Sequence, residues 1–249
     1  MQLPVLAIVG AIAAIVCIVV CLQVLEARRT ATRRDAFSRE AAQRGWRYAC
    51  TTEGGTRTDR FEGTSLAGSW TAEVIERRGR KRPGVRLMRW WNARADAPPP
   101  AAGSFVLVLA VDADQRLPEE EPADGALARF AARAVQMALG YGVGFRFGTV
   151  LPADRLVFQR VGLPGPAVED FAFLSDQPDA ARRRLSPAFL DALRRAFPQG
   201  AWDSRRARRP WLGLVGDRVA IACMSETVPD AADVARLVDA GAIVAGVRS

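Results

Sequence analysis

The stretch Val106-Leu107-Val108-Leu109-Ala110-Val111 is apolar at every position. Side chains of a strand point alternately to its two faces, so a strand that is apolar throughout is typical of a sheet covered on both sides. We therefore expect residues 105–111 to form a central strand. Pro-rich 97–103 and acidic 117–124 flank it, and both are too short to separate domains, so we interpret them as surface loops of one domain.

The residues before this strand alternate between apolar and polar, which predicts a strand-rich first half. A Gly-Gly pair, Gly54-Gly55, marks a turn between two of these segments. The predicted strands lie at Trp46–Cys50, Arg60–Thr64, Ser69–Ile75 and Val85–Trp91.

The residues after it are more helical. Predicted helices cover Asp124–Leu139, Ser186–Phe197 and Asp230–Val247, the last with Val234, Leu237, Val238 and Ile243 on its buried side. Predicted strands cover Arg155–Val161 and Val168–Leu174, and Trp211–Val215 with Arg218–Met224 is predicted to form a hairpin. The sequence therefore predicts an α+β fold, in which three to four helices pack on a mainly antiparallel, twisted or barrel-like sheet.

The N-terminal run Leu3–Leu25 has no charged residue. As a helix it would be ~34 Å long, against ~30 Å for the hydrocarbon core of a bilayer. It is too long for a signal peptide and has no basic residue before it. Residues 1–25 are therefore predicted to be an uncleaved transmembrane anchor.

Arginines follow this run and none precedes it, which by the positive-inside rule places the N-terminus outside and the rest of the chain in the cytoplasm. The expectation is a single-pass protein of the cell inner membrane, with a basic juxtamembrane helix at 26–45 and a cytoplasmic domain at 46–249. Contact with lipid headgroups is expected for Arg28, Arg29, Arg33 and Arg34.

Small residues recur at helical spacing along the anchor, and such a stripe would let two helices approach closely. A homodimer through the transmembrane helix is one interpretation, and a chance pattern in an Ala-rich helix is the other. The stripe consists of Ala7, Gly10, Ala11, Ala14, Cys17 and Cys21.

The chain contains no histidine, which excludes His-dependent triads, His-ligated metals and the usual proton shuttle at neutral pH. Cys50 and Cys223 stand far apart, and no CxxC pair occurs, so neither a metal site nor a cofactor is expected. Cys223, within an apolar strand, is interpreted as a buried thiol.

Two other patterns are candidate catalytic or ligand-binding sites. Asp112 and Asp114 follow the central strand and could bind a cation or serve as paired carboxylates, although hydrogen bonding within a turn is the favoured explanation. Glycines at 140, 142, 144 and 148 follow a predicted helix instead of preceding one. They are therefore interpreted as a mobile connection or strand turn and not as a phosphate-binding loop.

Two basic clusters could contact an anionic surface or nucleic acid, or could be solvated loops. Lys81 is the only lysine among 35 basic residues, so the high pI of about 10.4 reflects compositional bias and nucleic-acid binding is disfavoured. The clusters are Arg77, Arg78, Arg80, Lys81 and Arg82, and Arg205, Arg206, Arg208 and Arg209.

Several segments resemble a family of membrane-anchored bacterial proteins with a domain of unknown function. In that family a strand ending in Ser-Asp leads to a short helix, a Leu-Ser/Thr-Pro helix and a late hairpin. The resemblance implies an α+β fold and membrane association, and it brings no activity. The matching segments are Asp170–Asp176, Ala180-Ala181, Leu185-Ser186-Pro187, Leu190–Leu193, Phe61-Glu62-Gly63 and Ser69–Glu73.

The residues together favour a non-enzymatic interaction domain held at the cytoplasmic membrane face. Its expected partners are the lipid bilayer, an unidentified protein and a second copy of the chain. The alternatives are a carboxylate-dependent enzyme and a nucleic-acid-binding protein that uses the arginine clusters.

Overall fold

A computed structural model describes most of the 249-residue chain. The described residues are 3–66, 68–77, 84–92, 105–110, 126–148, 157–163, 170–198, 202 and 210–247. In the segments Leu3–Gln43, Phe105–Ala110 and Ala126–Phe147, side chains are described only for residues 14–43, 105–109 and 133–147.

These residues form five helices and nine strands. The helices are α1 (Leu3–Gln43), α2 (Ala126–Phe147), α3 (Pro178–Arg184), α4 (Pro187–Ala196) and α5 (Ala231–Gly246). The strands are β1 (Arg47–Glu53), β2 (Thr56–Ser65), β3 (Gly68–Arg77), β4 (Val85–Asn92), β5 (Phe105–Ala110), β6 (Gln159–Arg160), β7 (Phe171–Ser175), β8 (Trp211–Val215) and β9 (Arg218–Met224).

All nine strands belong to one sheet, in the order β1-β2-β3-β4-β9-β8-β5-β7-β6. Every neighbouring pair is antiparallel. The predicted α+β class and the mainly antiparallel sheet are confirmed. The strand order runs from β1 to β6 without closing on itself among the described residues, so the sheet is open there and not a barrel.

Strand β5 is covered on both faces, as its unbroken apolar sequence predicts. Val106 and Val108 belong to the core cluster that includes residues of α4 and α5. Phe105 and Leu107 point to the opposite face and join a second cluster with Val143 of α2. The two clusters place a helical layer on each side of the sheet.

Turns and caps follow the sequence signals closely. The β1–β2 turn uses Gly54 and Gly55 and the β8–β9 turn uses Gly216, all with positive φ, which glycine adopts without steric cost. Helix α4 begins after Ser186, whose side chain accepts a hydrogen bond from Phe189 N. Asp230 forms a capping box at the start of α5.

The interpretation of the glycines after the predicted helix is wrong. Helix α2 continues through Gly140, Gly142 and Gly144 and ends at Phe147, before Gly148 with φ +55°. At Gly142 a β-carbon would lie 2.8 Å from the Trp211 ring, so the glycine allows the helix to approach the sheet. Close packing, and not a turn, explains this residue.

The predicted membrane span is wrong for the part of the chain that the structure describes. Helix α1 is continuous from Leu3 to Gln43, yet no described helix is long and apolar enough to cross a membrane. The predicted inner-membrane localisation, with its N-out topology, is therefore corrected.

Candidate functional site

Helix α1 carries exposed aliphatic side chains between residues 15 and 25. Large contiguous apolar surfaces are uncommon on folded proteins and mark sites of contact. The eight residues are between 46% and 61% exposed, and they are Ile15, Val16, Ile18, Val19, Val20, Leu22, Val24 and Leu25.

Four of these side chains lie along one side of the helix at spacings of three, four and three residues. This is the a and d spacing at which coiled-coil helices pack together. We call Ile15, Ile18, Leu22 and Leu25 the seam. Ile15, Ile18 and Leu22 are the most exposed of the eight, at 59–61%. The seam ends at Leu25, because the next positions at this spacing are Arg29 and Thr32.

Helix α1 is attached to the domain only through its C-terminal part. Every described side chain from Ala14 to Thr32 is exposed, and Arg33 is the first that is partly covered. Phe37 is fully buried, with its ring centroid 5.2 Å from that of Phe61 on β2. The exposed apolar segment therefore extends from a helix whose other end belongs to the core.

An ionic junction forms where α1 meets the sheet, centred on the fully buried carboxylate of Asp59. Tyr48 Oη donates to Asp59 Oδ1 at 2.8 Å, and Arg57 donates through Nε and Nη2 at 3.0 Å each. Arg33 of α1 brings its Nη2 to 3.3 Å from Oδ2. Two guanidinium groups thus balance the negative charge of the carboxylate, and a phenol hydroxyl adds a hydrogen bond, as a buried charge requires.

The junction extends to Glu76 on β3. Arg33 Nη1 donates to Glu76 Oε2 at 2.9 Å, and Arg86 Nε lies 3.7 Å from Oε1. Arg33 therefore links α1 to two strands. Removing one partner of a buried ion pair costs ~3–5 kcal/mol, because the other charge is left uncompensated.

Tyr48 and Cys50, which lie on β1 at the junction, have raised pKa values. Burial, followed by the hydrogen bond with Asp59, raises the pKa of Tyr48. The same causes, in the same order, raise the pKa of the Cys50 thiol, while burial raises that of Cys223 to about 12. A raised pKa disfavours the thiolate that a cysteine nucleophile needs.

The arginines predicted to meet lipid headgroups divide into two groups. Arg28, Arg29 and Arg34 are exposed, whereas Arg33 is turned toward the carboxylates of the sheet. These positions do not test headgroup contact, which stays a prediction.

Most of the other predicted site residues lie outside the described part of the chain. Arg77 is described and is exposed at the end of β3. Within the described ranges, no group of three or more Cys, Asp or Glu side chains is arranged to hold a metal ion. The residues outside these ranges are Asp112, Asp114, Arg78, Arg80, Lys81, Arg82, Arg205, Arg206, Arg208 and Arg209.

Sequence reasoning missed the junction. In the register of β1 and β2, Cys50 pairs with Asp59 and Tyr48 pairs with Phe61. The available signal was the alternation along β2, which places Asp59 on the same face as the buried Phe61. A carboxylate at an inward position indicates a compensating cation nearby.

No protein-family model matches the chain, and no curated protein and no solved structure is significantly similar to it. The resemblance to membrane-anchored proteins thus has no family match behind it.

Proposed function

We propose that the chain is a non-enzymatic interaction protein that associates with further copies of itself through the seam on α1. The single observation that carries this proposal is the row of four aliphatic side chains, each more than half exposed, at coiled-coil spacing. In a helix–helix contact these side chains would leave water together.

The energies favour more than two copies. Full burial of an aliphatic side chain stabilises by ~1.5–3 kcal/mol, so the half-exposed seam contributes ~4 kcal/mol per helix. Two helices together gain ~8 kcal/mol from burial of the seam. Association costs ~4–15 kcal/mol, so this gain alone is about cancelled in a dimer. Isoleucine at both a and d positions favours trimers and tetramers, and Ile15 and Ile18 are such a pair. A larger bundle would also cover the flanking valines.

The ionic junction supports this function by fixing α1 to the domain. Arg33 and Phe37 connect the helix to β2 and β3, so association of the helices would bring the α+β domains together. The α+β domains would then be held close together, where they could bind partners for the assembly.

Cysteine cross-linking tests the proposal. In full-length protein carrying Cys17→Ser, Cys21→Ser and Cys50→Ser, an Ile18→Cys substitution places a thiol on the seam. Val20→Cys is the matched control, because residue 20 lies on the opposite side of the helix. Mild oxidation should link copies through residue 18 and not through residue 20, and sedimentation should show dissociation on dilution.

Three outcomes would overturn the proposal. One is a monomer at every concentration, and another is equal cross-linking at residues 18 and 20. The third is binding to phospholipid vesicles that is equal for the residue-18 and residue-20 variants, because lipid would contact all sides of the helix alike.

A further inference from the structure

A groove lies between the C-terminal ends of α1 and α4 and one side of α5. Its volume is about 510 Å³. Ligand sites in proteins occupy ~300–1,000 Å³ and combine an apolar lining with a few polar groups. The groove is separate from both the seam and the ionic junction, so an inference about it stands independently of the proposed function.

The floor of the groove is apolar. Trp202 is 5% exposed, and its Nε1 donates to the carbonyl oxygen of Ala196 at 3.4 Å. Its ring lies 5.7 Å from that of Phe197, which holds it in place. Ile243 was expected on the buried side of its helix, but it lines this groove and is 37% exposed. The floor therefore offers the exposed side chain of Ile243 and, beside it, the small part of the Trp202 ring that remains exposed.

The carboxylates at the groove already have a cation. Arg44 Nε lies 2.7 Å from Glu40 Oε1, and Arg44 Nη1 lies 2.9 Å from Asp239 Oδ1. Burial lowers the pKa of Arg44, and these two carboxylates raise it by more. The two acids share this one arginine, so the α1 end of the groove keeps an excess of negative charge, whereas the side towards α4 carries positive charge that no described residue pairs with.

Two arginines at the groove have spare donors. Arg195 is exposed and forms no hydrogen bond or ion pair with any residue that the structure describes. Arg236 lies 5.9 Å above the Trp202 ring, and its nearest carboxylate oxygen, on Asp233, is 3.7 Å away. That separation exceeds hydrogen-bond length. A guanidinium has five donors, in a fork that matches a carboxylate.

We infer that this groove binds a peptide segment of a partner protein in which a carboxylate side chain neighbours an apolar one. The carboxylate pairs with Arg195 and Arg236, and the apolar side chain lies on Ile243, next to the edge of Trp202. Glu40 and Asp239, already engaged by Arg44, disfavour a second acidic group at the α1 end.

Peptide binding to the full-length protein tests the inference. The probe is a dye-labelled peptide of alternating Glu and Leu, followed by fluorescence anisotropy, with its Lys-Leu counterpart for comparison. The Glu-Leu peptide should bind, with an affinity that falls as salt is added. The Lys-Leu peptide should bind more weakly by about tenfold or more.

Charge reversal at the groove is the second arm. Arg195→Glu should weaken binding by about tenfold or more, because it replaces attraction by repulsion. Arg194→Glu is the matched control: Arg194 is also exposed on α4 but lies 3.6 Å from Asp191 and does not line the groove. It should change affinity by less than about twofold. Arg195→Gln is the milder variant should the reversal disturb folding.

The inference is overturned if both peptides bind equally, if neither binds at millimolar concentration, or if the Arg194 and Arg195 variants lose affinity alike. Unchanged binding in Ile243→Ser, with folding verified by circular dichroism, would also contradict it, because the apolar contact would then be absent.

Discussion

The indole of Trp90 occupies the space that a β-carbon at Gly241 would need. A β-carbon built on this residue of α5 comes closer to three atoms of the indole than real side chains allow. Trp90 is completely buried in β4, so its ring cannot move aside into solvent. Helix α5 therefore lies on the sheet at a distance that only glycine permits at this position.

Gly241→Ala is expected to lower the free energy of unfolding by about 1–3 kcal/mol, because overpacking forces the helix or the ring to shift. Urea denaturation measures the change. Gly140→Ala is the matched control: Gly140 also lies within a helix, but a β-carbon there would meet no atom within 4 Å. That variant should be stabilised by up to about 1 kcal/mol. Equal effects of the two substitutions would contradict the packing described.

Asp59→Asn should destabilise the protein by about 3–5 kcal/mol, because Arg33 and Arg57 would keep their charges in a buried place without the compensating carboxylate. The control is Asp179→Asn, which removes an exposed ion pair with Arg182 and should cost less than about 1 kcal/mol. Chemical denaturation of both variants at neutral pH provides the comparison. A small loss at Asp59 would mean that the junction does not contribute to stability.

The raised pKa of Tyr48 predicts a loss of folding stability in alkaline solution. Its folded-state pKa is raised, by burial first and by the Asp59 hydrogen bond second, above the value of about 10 in an unfolded chain. The neutral phenol therefore stabilises the fold fully below pH ~10, and this contribution is lost as the pH rises toward the folded-state pKa. Urea midpoints between pH 8 and 11 should fall less steeply in Tyr48→Phe than in the parent. Tyr141→Phe, at a ring that is 78% exposed, should follow the parent.

The cysteines should react with iodoacetamide in an order set by their surroundings. Cys17 is exposed on α1, and Cys50 is half-buried with a raised pKa. Cys223 is completely buried with a pKa of about 12, so it should remain unmodified until the protein is unfolded. Mass spectrometry of the native protein at pH 8 should show modification of the exposed Cys17 and Cys21 first, then Cys50. Early modification of Cys223 would show that β9 opens readily.

The parts of the fold that the sequence predicted depend on local patterns. Strand β5 is apolar throughout, the β8–β9 turn contains glycine, and Ser186 precedes Pro187 at the start of α4. Each signal acts over a few residues, so it can be read without knowledge of distant contacts.

The parts that the sequence did not predict depend on contacts between distant residues. Glycine is needed at position 142 because the Trp211 ring leaves no space for a side chain, and Ile243 is exposed because no described segment covers it. The junction joins residues 33, 59 and 76, from three different elements. Hydropathy alone also led to a membrane span that the described residues do not contain.

Helix α1 is unbroken and is held to the sheet at the ionic junction, so a small change of its angle there would move its far end by a large distance. Ile15 lies eighteen residues before Arg33, or ~27 Å along the axis. A tilt of about 10° at the junction would carry the far end through about 5 Å, roughly the rise of one helical turn. The direction of the seam therefore depends on the contacts of Arg33 with two carboxylates and of Phe37 with Phe61, and a change in any of them would displace the far end of the helix most.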